Sequence, residues 1–339
     1  MGQTEITNQL PFHFGVQHLL DRDGTPVAVG ITKATFTIAG DDLRIADEQM
    51  PLLPAGKSWG EPGKSSYQYE PECSYFKSGT DVALVGAAVP PSGAATHVEV
   101  SFSVGPLRKR AVVFGDRFWT RSFARPYLSS PEPFESMPLV YERAFGGWDR
   151  SDPDPDRHTY ESRNPVGTGF AKKFAADQER IALPNIENPS DLVTSMNDRP
   201  SPVGFGFINP DWQPRASLAG TYDSSWSENR APLLPEDFDL RFFNAASEGL
   251  RSNGYLVGNE QVTVQNCAEH PVLHFCLPGV PPPTCRFRFA DRVDRSERSN
   301  LDTVVVNTLS HVVILTWRCH VPLPRGPEFL LELHVTGGQ

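Results

Sequence analysis

The segment Val98-Glu-Val-Ser-Phe-Ser-Val104 alternates apolar and polar residues at every step. A period of two is typical of a β-strand that is buried on one face and exposed on the other. Gly105-Pro106 then interrupts the alternation, and residues 107–114 resume an extended, partly apolar stretch. We therefore expect an antiparallel hairpin here and a fold that is built on β-sheets.

The residues before this hairpin have the same character. Two candidate strands, residues 11–20 and 27–38, flank the segment Asp21-Arg-Asp-Gly-Thr-Pro26, which has the composition of a turn. We expect these two strands to form a second hairpin. Residues 81–89 are a further short apolar run, so the N-terminal part of the chain is predicted to be mostly strand.

The C-terminal part of the chain is also strand-like. Its candidate strands are rich in β-branched or alternating residues, and they are residues 255–264, 272–277, 302–306, 312–317 and 329–335. Asn307-Thr-Leu-Ser310 is short enough to be a hairpin loop between two of them. Residues 291–299 are expected to be a charged, solvated stretch.

The centre of the chain is different, because Pro, Gly, aromatic residues and charged residues crowd together there without long apolar runs. Proline removes backbone donors and glycine permits unusual dihedral angles, so regular elements should be few. We expect one short helix from Pro235, with Phe238 and Phe242 at helical spacing, and another over residues 191–196. Most aromatic side chains here should fill the core, and an exposed minority could bind a partner.

These patterns predict a mainly β fold: antiparallel packed sheets, sandwich-like, with a long irregular Pro/Gly/aromatic-rich central segment and a few short helices. No low-complexity linker separates the ends. We therefore expect a single domain over residues 1–339, with an N-terminal β part (1–120), an irregular central part (121–250) and a C-terminal β part (251–339).

Composition narrows the range of functions. The chain has 339 residues, a net charge of −10 and 32 prolines, so nucleic acid is not expected as a partner. Five cysteines, at positions 73, 267, 276, 285 and 319, are typical of free thiols in a reducing compartment. Since the sequence also lacks a leader, a lipidation pattern and a long apolar run, we expect a cytoplasmic protein without membrane insertion.

Carboxylates in the centre are the best candidates for catalysis. A carbohydrate-active hydrolase could use two of Asp116, Glu142, Asp149, Asp223 and Asp239. Most have an arginine close in sequence: Asp116–Arg117, Glu142–Arg143, Asp149–Arg150 and Asp239–Arg241. We expect mutual neutralisation of these charges, which favours a structural role over catalysis.

A metal site is the other candidate. Cys267, His270, His274 and Cys276 are suitable zinc ligands within one short segment. The alternative is a core cysteine beside surface histidines, which is ordinary in a β-strand, and it is the interpretation we favour. No phosphate or dinucleotide motif is convincing, since Gly204-Phe-Gly206 is followed by Asn209-Pro210 within a few residues rather than by a helix. We expect neither cofactor nor metal.

Taken in order, the motifs of the chain resemble those of a bacterial family, domain-of-unknown-function family 2169 (DUF2169). The motifs that carry the resemblance are Lys33-Ala-Thr-Phe36, Phe114-Gly-Asp-Arg117, Met137-Pro-Leu139, Tyr141-Glu-Arg-Ala-Phe-Gly-Gly147, Arg163-Asn-Pro-Val-Gly167, Leu183-Pro-Asn185, Asp198-Arg-Pro200, Pro214-Arg215, Ala219-Gly-Thr-Tyr-Asp223, Pro232-Leu-Leu-Pro235, Phe238-Asp239, Arg241-Phe-Phe-Asn-Ala245, Leu301-Asp-Thr303 and Trp317-Arg318.

This resemblance implies a non-enzymatic adaptor or chaperone of type VI secretion. Such a protein binds an effector protein and helps to load it onto the VgrG spike, often with a PAAR-like tip protein. The resemblance supplies no catalytic residues. Its motifs mark these positions as structural: Asp116, Arg117, Tyr141, Glu142, Arg143, Gly146, Gly147, Arg163, Asn164, Asp198, Arg199, Tyr222, Asp223, Asp239, Arg241 and Asn244.

Overall fold

The computed structural model describes residues 4–123, 125–291, 294–323 and 325–338. The first three residues, which bear on the predictions about a leader and lipidation, lie outside this range. The described chain is mainly β, as predicted, with 26 strands, one short helix and five 3₁₀ turns. Within these ranges, no helix is long and apolar enough to span a bilayer.

The strands are numbered in chain order. Those of the N-terminal part are β1 Glu5–Asn8, β2 His13–Leu20, β3 Pro26–Ala39, β4 Asp42–Ile45, β5 Lys57–Ser58, β6 Tyr67–Tyr69, β7 Asp81–Val85, β8 Ala87–Ala88, β9 His97–Val104, β10 Leu107–Phe114 and β11 Phe118–Thr120. Both predicted hairpins are confirmed, because β2 pairs antiparallel with β3 and β9 pairs antiparallel with β10.

The centre contains only short elements, as predicted. Its strands are β12 Tyr127–Leu128, β13 Met137–Pro138, β14 Phe145–Gly146, β15 Trp148–Asp149, β16 Thr159–Tyr160, β17 Thr168–Gly169, β18 Arg180–Ala182 and β19 Ile186–Glu187. The helix is α1, Ser224–Asn229. The 3₁₀ turns are Tyr141–Arg143, Pro155–Arg157, Arg215–Leu218 and Leu240–Phe243, with a fifth near the C-terminus at Pro327–Phe329.

The C-terminal strands are β20 Gln261–Gln265, β21 Val272–Cys276, β22 Thr284–Phe289, β23 Asp294–Arg298, β24 Asn300–Asn307, β25 Val312–Pro322 and β26 Leu330–Thr336. The loop between β24 and β25 joins an antiparallel pair, as predicted. The first of the predicted strands begins later than expected, at Gln261. Residues 294–298 of the predicted charged stretch form a strand whose side chains are all exposed.

Both helix predictions need correction. Residues 191–196 are not helical, because two carboxylates take the backbone donors that a helix would direct to carbonyls. Glu187 accepts from the Val193 amide at 2.9 Å, and Asp198 accepts from the Thr194 and Ser195 amides, each at 2.8 Å. The helix expected from Pro235 is reduced to the turn Leu240–Phe243.

The largest sheet joins both ends of the chain. Its strand order is β2-β3-β25-β24-β7, and β4 pairs with the end of β3. Most neighbours are antiparallel, but β7 runs parallel to β24. A second sheet has the order β19-β10-β9-β20-β21, and a third has the order β1-β26-β22-β23, in which β1 and β26 are parallel.

The sheets pack as a sandwich. On the inner face of the largest sheet, Phe36 and Trp317 belong to one buried cluster with Phe102 and Phe275 of the second sheet. Ala28 alternates onto the same face of β3 and packs with residues of the third sheet, including Phe287. The sandwich predicted from the alternation of apolar residues is therefore confirmed.

The outer face of the largest sheet is covered by the irregular centre and by residues 46–77. Val29 and Ile31 pack there with Tyr75, while Ala83 and Val305 pack with Tyr69 and Phe207. Both faces of the sheet are buried, so polar groups between the sheet and the centre must find partners within the protein.

Candidate functional site

Seven charged side chains are buried between the outer face of the largest sheet and the segments that cover it. These residues, called the ionic cluster below, are Lys33, Glu70, Glu72, Lys77, Asp81, Asp302 and Arg318. Lys33 Nζ lies 2.7 Å from a Glu72 oxygen, and Lys77 Nζ lies 2.9 Å from Asp81 Oδ2 and also donates to Glu70. Arg318 Nε donates to Asp302 at 2.5 Å. Each buried charge therefore has an opposite charge in direct contact.

Burial and pairing act in opposite directions on these groups. Burial raises the pKa of Glu70, and Lys77 only partly reverses that rise. Burial alone would lower the pKa of Lys77, but the nearby carboxylates of Asp81 and Glu70 outweigh it, so the pKa is raised. Lys77 is thus held as a cation inside the protein.

Asn244 connects the central motifs to this cluster. Its side-chain amide donates to the Gly79 carbonyl at 2.9 Å and to Asp81 Oδ1 at 3.1 Å. Asp81 Oδ2 also accepts from the Ala245 amide at 2.8 Å. Asn244, which is predicted to be structural, therefore holds the central part of the chain against β7.

Tyr141 and Glu142 also serve to hold segments together. The Tyr141 ring is buried, edge-on to Trp212 at 5.4 Å between centroids, and burial raises its pKa. Glu142 accepts from the Ser66 amide at 2.7 Å and from the Ser66 hydroxyl at 2.8 Å. Glu142 therefore binds Ser66 and not the neighbouring Arg143.

Arg143 instead lies 3.0 Å from Asp116, in a pair that is exposed on both sides. Asp116 is therefore not paired with its sequence neighbour Arg117. Arg117 is buried, its guanidinium lies 3.9 Å from the Phe114 ring centroid, and it donates to Glu187. The predicted neutralisation is confirmed for Asp116, whose partner comes from a segment distant in sequence, whereas Glu142 makes no ion pair within the described chain.

Gly146 and Gly147 lie where the chain passes close to another segment. An added Cβ at Gly146, which has a φ of 154°, would lie 2.1 Å from the Asn164 carbonyl oxygen, and one at Gly147 would lie 2.3 Å from Gly167 O. Asn164 donates from its side chain to the Tyr141 and Phe145 carbonyls at 2.7 and 3.0 Å. These close approaches hold the segment after β14 against residues 164–167.

Arg163 and Arg199 stabilise the adjoining loops. Arg163 binds Glu161 with two bonds, of 2.8 and 2.7 Å, and although burial raises the pKa of Glu161, these bonds lower it overall. Arg199 donates to three backbone carbonyls, including Met196 O at 2.8 Å. The pKa of Asp198 is lowered chiefly by the hydrogen bond from the Thr194 amide.

The remaining motif residues lie near the surface. Tyr222 is exposed, and its ring centroid lies 4.7 Å from that of Trp226. Asp223 caps α1 by accepting from the Trp226 amide at 2.8 Å. Asp239 and Arg241, two residues apart in sequence, form an ion pair with Nε 2.9 Å from Oδ2, which confirms the predicted neutralisation for Asp239.

A cleft of about 410 Å³ opens beside these motifs. Its walls combine charged, polar and apolar side chains: Lys109, Tyr141, Arg163, Ser201, Pro202, Ile208, Gln213, Pro214, Arg215, Leu218, Asn244, Ala246, Ser247, Glu248, Gly249 and Arg251. Four of these are cationic and one, Glu248, is anionic. The protein is acidic as a whole, so this cleft is a local reversal of charge.

Three of the cleft's cations are held by neutral groups or remain unpaired. Lys109 donates to the Ser247 hydroxyl at 3.2 Å and the Glu248 carbonyl at 2.8 Å. Arg215 donates to two backbone carbonyls, of Phe242 and Ile208, at 2.8 and 2.7 Å. Within the described chain, Arg251 makes no ion pair. Arg163 differs, since Glu161 neutralises it.

The other candidate carboxylates are engaged elsewhere. Asp149 is buried and accepts from the Ser151 amide at 3.0 Å, and Arg150 lies over the Trp148 ring instead of pairing with it. None of Glu142, Asp223 and Asp239 is among the residues that line the cleft. The five acids considered for hydrolysis are thus not brought together in it.

The four candidate metal ligands do not form one set. Cys267 is buried, whereas His274 and Cys276 lie on the exposed face of β21. His274 hydrogen-bonds Gln261 and Thr263 across the strand pair. In the part of the chain that the structure describes, no three His, Cys, Asp or Glu side chains are placed to hold a metal ion.

Several important residues were not singled out in the sequence. Lys33, Asp302 and Arg318 lie in the matched motifs, but Glu70, Lys77 and Asp81 of the ionic cluster do not, and neither do Lys109 and Arg251 of the cleft. For Asp81 the sequence does contain a signal, because this residue begins an apolar strand that is buried throughout. An isolated charge in such a strand requires a partner inside the protein.

Comparison with models of protein families gives a match that covers most of the chain. The model of the family described as "Uncharacterized protein conserved in bacteria (DUF2169)" matches residues 23–318. No curated protein and no solved structure matches the chain. The matched range contains all seven residues of the ionic cluster and all the residues that line the cleft.

Proposed function

We propose a non-enzymatic adaptor role for this chain, which belongs to the DUF2169 family. In this role it binds a type VI secretion effector in the bacterial cytoplasm and helps to load it onto the VgrG spike, often together with a PAAR-like tip protein. The basis is the resemblance of its motifs, combined with a surface that is suited to binding proteins.

The observation that carries the proposal is an exposed aromatic hairpin formed by β15 and β16. Trp148 and Tyr160 are directly paired across these strands, with ring centroids 4.7 Å apart, yet 46% and 49% of their surfaces are exposed. The Arg150 guanidinium lies 5.6 Å from the Trp148 ring. Trp, Tyr and Arg are the residues most enriched at the centres of protein interfaces, so this hairpin is a suitable contact surface.

The environment of the acids also favours binding over hydrolysis. A glycoside hydrolase needs two carboxylates about 5–10 Å apart across an open site. Here Glu142 binds Ser66, Asp223 caps a helix and Asp239 binds Arg241. These contacts give each acid a structural role, which supports the adaptor over the carbohydrate-active hydrolase.

Co-purification tests the proposal. The tagged protein is expressed together with an effector and a spike protein whose genes adjoin its own. In a second experiment the gene of the proposed adaptor is deleted, and secretion of each effector is measured. We expect both proteins to be retained and at least one effector to remain inside the cell. Retention of neither protein, with unchanged secretion of every effector, would overturn the proposal.

A pair of variants then locates the surface. Trp148→Ala should weaken binding by about thirtyfold or more, since truncating a central interface aromatic residue costs about 2 kcal/mol or more. Tyr222→Ala removes an aromatic side chain with 52% exposure elsewhere and should bind normally. Equal binding by both variants would place the contact on another surface.

A further inference from the structure

The cationic cleft is distinct from the aromatic hairpin, and its charge requires an explanation. Lys109 directs two of its three N–H groups to neutral oxygens, of Ser247 and Glu248. Arg215 is largely buried and its hydrogen bonds go to backbone carbonyls. Glu248, Glu70 and Asp239 act on Lys109, Arg215 and Arg251 only at longer range, so no carboxylate of the described chain is in direct contact with these three cations.

We propose that this cleft binds a carboxylate-bearing peptide segment of the protein that the adaptor carries or contacts. The inference rests on the proposed function, and it specifies the chemistry by which a partner is recognised. Lys109, Arg215 and Arg251 supply the positive charge, and the hydroxyl groups of Tyr141 and Ser247 lie in the same walls.

The apolar walls favour a peptide over a small inorganic anion. Pro202, Pro214 and Leu218 line the cleft together with the cations. An Asp or Glu side chain with apolar neighbours matches both kinds of surface, because its flanking residues pack while its carboxylate meets the guanidinium and ammonium groups.

The overall charge of the protein argues against a polyanion. Because the protein has a net charge of −10, it repels a long anion such as nucleic acid over most of the length of that anion. A single carboxylate responds to charges within about 8–10 Å, because salt screens more distant ones. The cleft can therefore attract one acidic side chain even though the whole molecule is acidic.

The charge on Lys109 is only partly balanced by neighbouring groups of the protein. Burial lowers the pKa of Lys109 to about 8, and Glu248 only partly opposes this shift. A carboxylate in direct contact would stabilise the ammonium form, as charge-assisted hydrogen bonds do.

Two double variants with equal charge test the inference. Lys109→Gln with Arg251→Gln removes two cations from the cleft, and Arg108→Gln with Arg110→Gln removes two exposed cations from the same strand, β10. Both change the net charge from −10 to −12. Binding to the co-purified effector or spike is measured by calorimetry, with melting temperatures as a check on folding.

We expect the cleft variant to bind at least about tenfold more weakly, because a desolvated charge pair loses one partner. The β10 surface variant should bind within about twofold of the wild type, since rim charges contribute little to affinity. If the cleft variant melts early, Arg251→Gln alone replaces it and should still bind more weakly than Arg108→Gln, because Arg251 lines the cleft and Arg108 does not. Equal binding by both variants would overturn the inference.

The partner's side provides an independent check. Overlapping peptides from the bound partner are probed with the wild-type protein, and each Asp or Glu is then replaced by Asn or Gln. An acidic peptide should bind the wild type and the β10 surface variant but not the cleft variant, and its neutral form should bind none of them. If neutral peptides bind as well as acidic ones, the cleft does not recognise a carboxylate and the inference is wrong. If the wild-type protein binds no partner at all, the adaptor role itself is refuted.

Discussion

The absence of a side chain at Gly204 makes room for the Tyr141 ring. A Cβ at this position would lie 2.2 Å from the Tyr141 Cζ atom and 2.6 Å from its hydroxyl oxygen. The Gly204 carbonyl also accepts from the Ser247 hydroxyl at 2.7 Å, and Ser247 in turn contacts Lys109. One wall of the cleft therefore depends on a glycine for steric reasons.

Gly204→Ala should lower the free energy of unfolding by about 1–3 kcal/mol, the usual cost of overpacking a filled site. Gly206→Ala is a matched control two residues away, because its nearest neighbour would be the Tyr67 carbonyl oxygen at 3.8 Å, an ordinary contact. Urea denaturation of the three proteins measures the difference. If Gly204→Ala is as stable as Gly206→Ala, Tyr141 can move aside without cost.

The protonation of Lys109 gives partner binding a predicted pH dependence. Its pKa is lowered from 10.5 to about 8, so the side chain is mostly charged at pH 7 and mostly neutral at pH 9. Carboxylate binding needs the charged form, and affinity should therefore fall by up to roughly tenfold as the pH rises between these values. Calorimetric titration at several pH values measures this change.

Lys109→Arg is the control for this effect, because arginine stays protonated throughout the range. The other charged groups facing Lys109 in the cleft are Arg163, Arg215, Arg251 and Glu248, none of which ordinarily titrates between pH 7 and 9. The variant should therefore bind with little pH dependence. A wild type whose affinity stays constant from pH 7 to 9 would show that Lys109 does not contact the ligand.

At this scale, the sequence predicted residue types better than partners. The crowding of Asp, Glu and Arg indicated neutralised charges, which is correct for Asp116 and Asp239, whereas Glu142, Asp149 and Asp223 accept hydrogen bonds from neutral groups instead. Adjacent residues were poor guides to the partners, because Asp116 pairs with Arg143 and Arg117 with Glu187. Such pairings depend on where separate loops meet, which a local pattern does not encode.

At the scale of elements, the ionic cluster fixes the centre and residues 46–77 to the sheet. Lys77 is central to it, because it contacts Glu70, Asp81 on β7 and the Thr303 hydroxyl on β24. Lys77→Met should lower stability by about 3–5 kcal/mol, since it leaves buried carboxylates without their cation. Chemical denaturation measures the loss.

Lys64→Met is a matched control for Lys77→Met. Lys64 also pairs with an acid, Glu61, at 2.9 Å, but both side chains are well exposed, at 73% and 65%. An exposed pair contributes about 0–1 kcal/mol, so this variant should be nearly as stable as the wild type. Similar losses in the two variants would show that burial does not set the cost at Lys77.

Strands were predictable both where one face is buried and the other solvated, as in β9, and where both faces are buried, as in β3, which lies within a residue of the predicted 27–38. β9 alternates and was found within a residue of its bounds. The absence of a helix over residues 191–196 was not predictable. The backbone amides of this segment donate to side chains such as Asp198, which lies outside the predicted segment. The parallel pairing of β7 with β24 could not be predicted either, since more than 200 residues separate them and local periodicity is the same for both directions.

At the scale of the whole molecule, the three parts of the chain share their main contacts. β3 of the N-terminal part pairs with β2 on one side and, on the other, with β25 of the C-terminal part. β24, also of the C-terminal part, lies between β25 and the N-terminal strand β7. The centre contributes Phe134, Met137 and Phe205 to the same buried cluster as the sheets. The cleft combines β10 with loops of the centre, which explains why its cations were not recognisable as a group in the sequence.

This arrangement predicts one cooperative unfolding transition. The centre cannot keep its buried charges paired once the sheet separates, and the outer face of the sheet cannot stay dry without the centre. Tryptophan fluorescence and far-UV circular dichroism should therefore report the same midpoint in urea. Trp212 lies in the centre and Trp317 within the sheet, and both are fully buried, so each part has its own probe.

Trp212→Phe and Trp317→Phe separate the two signals. Each variant removes one of these probes, and the remaining change in fluorescence reports more strongly on the other part of the protein. In each variant, the fluorescence midpoint should coincide with the dichroism midpoint of the same protein, because the ionic cluster couples the parts. A fluorescence midpoint in Trp317→Phe well below its dichroism midpoint would mean that the centre opens before the sheet, and that the cluster stabilises the centre without making the fold cooperative.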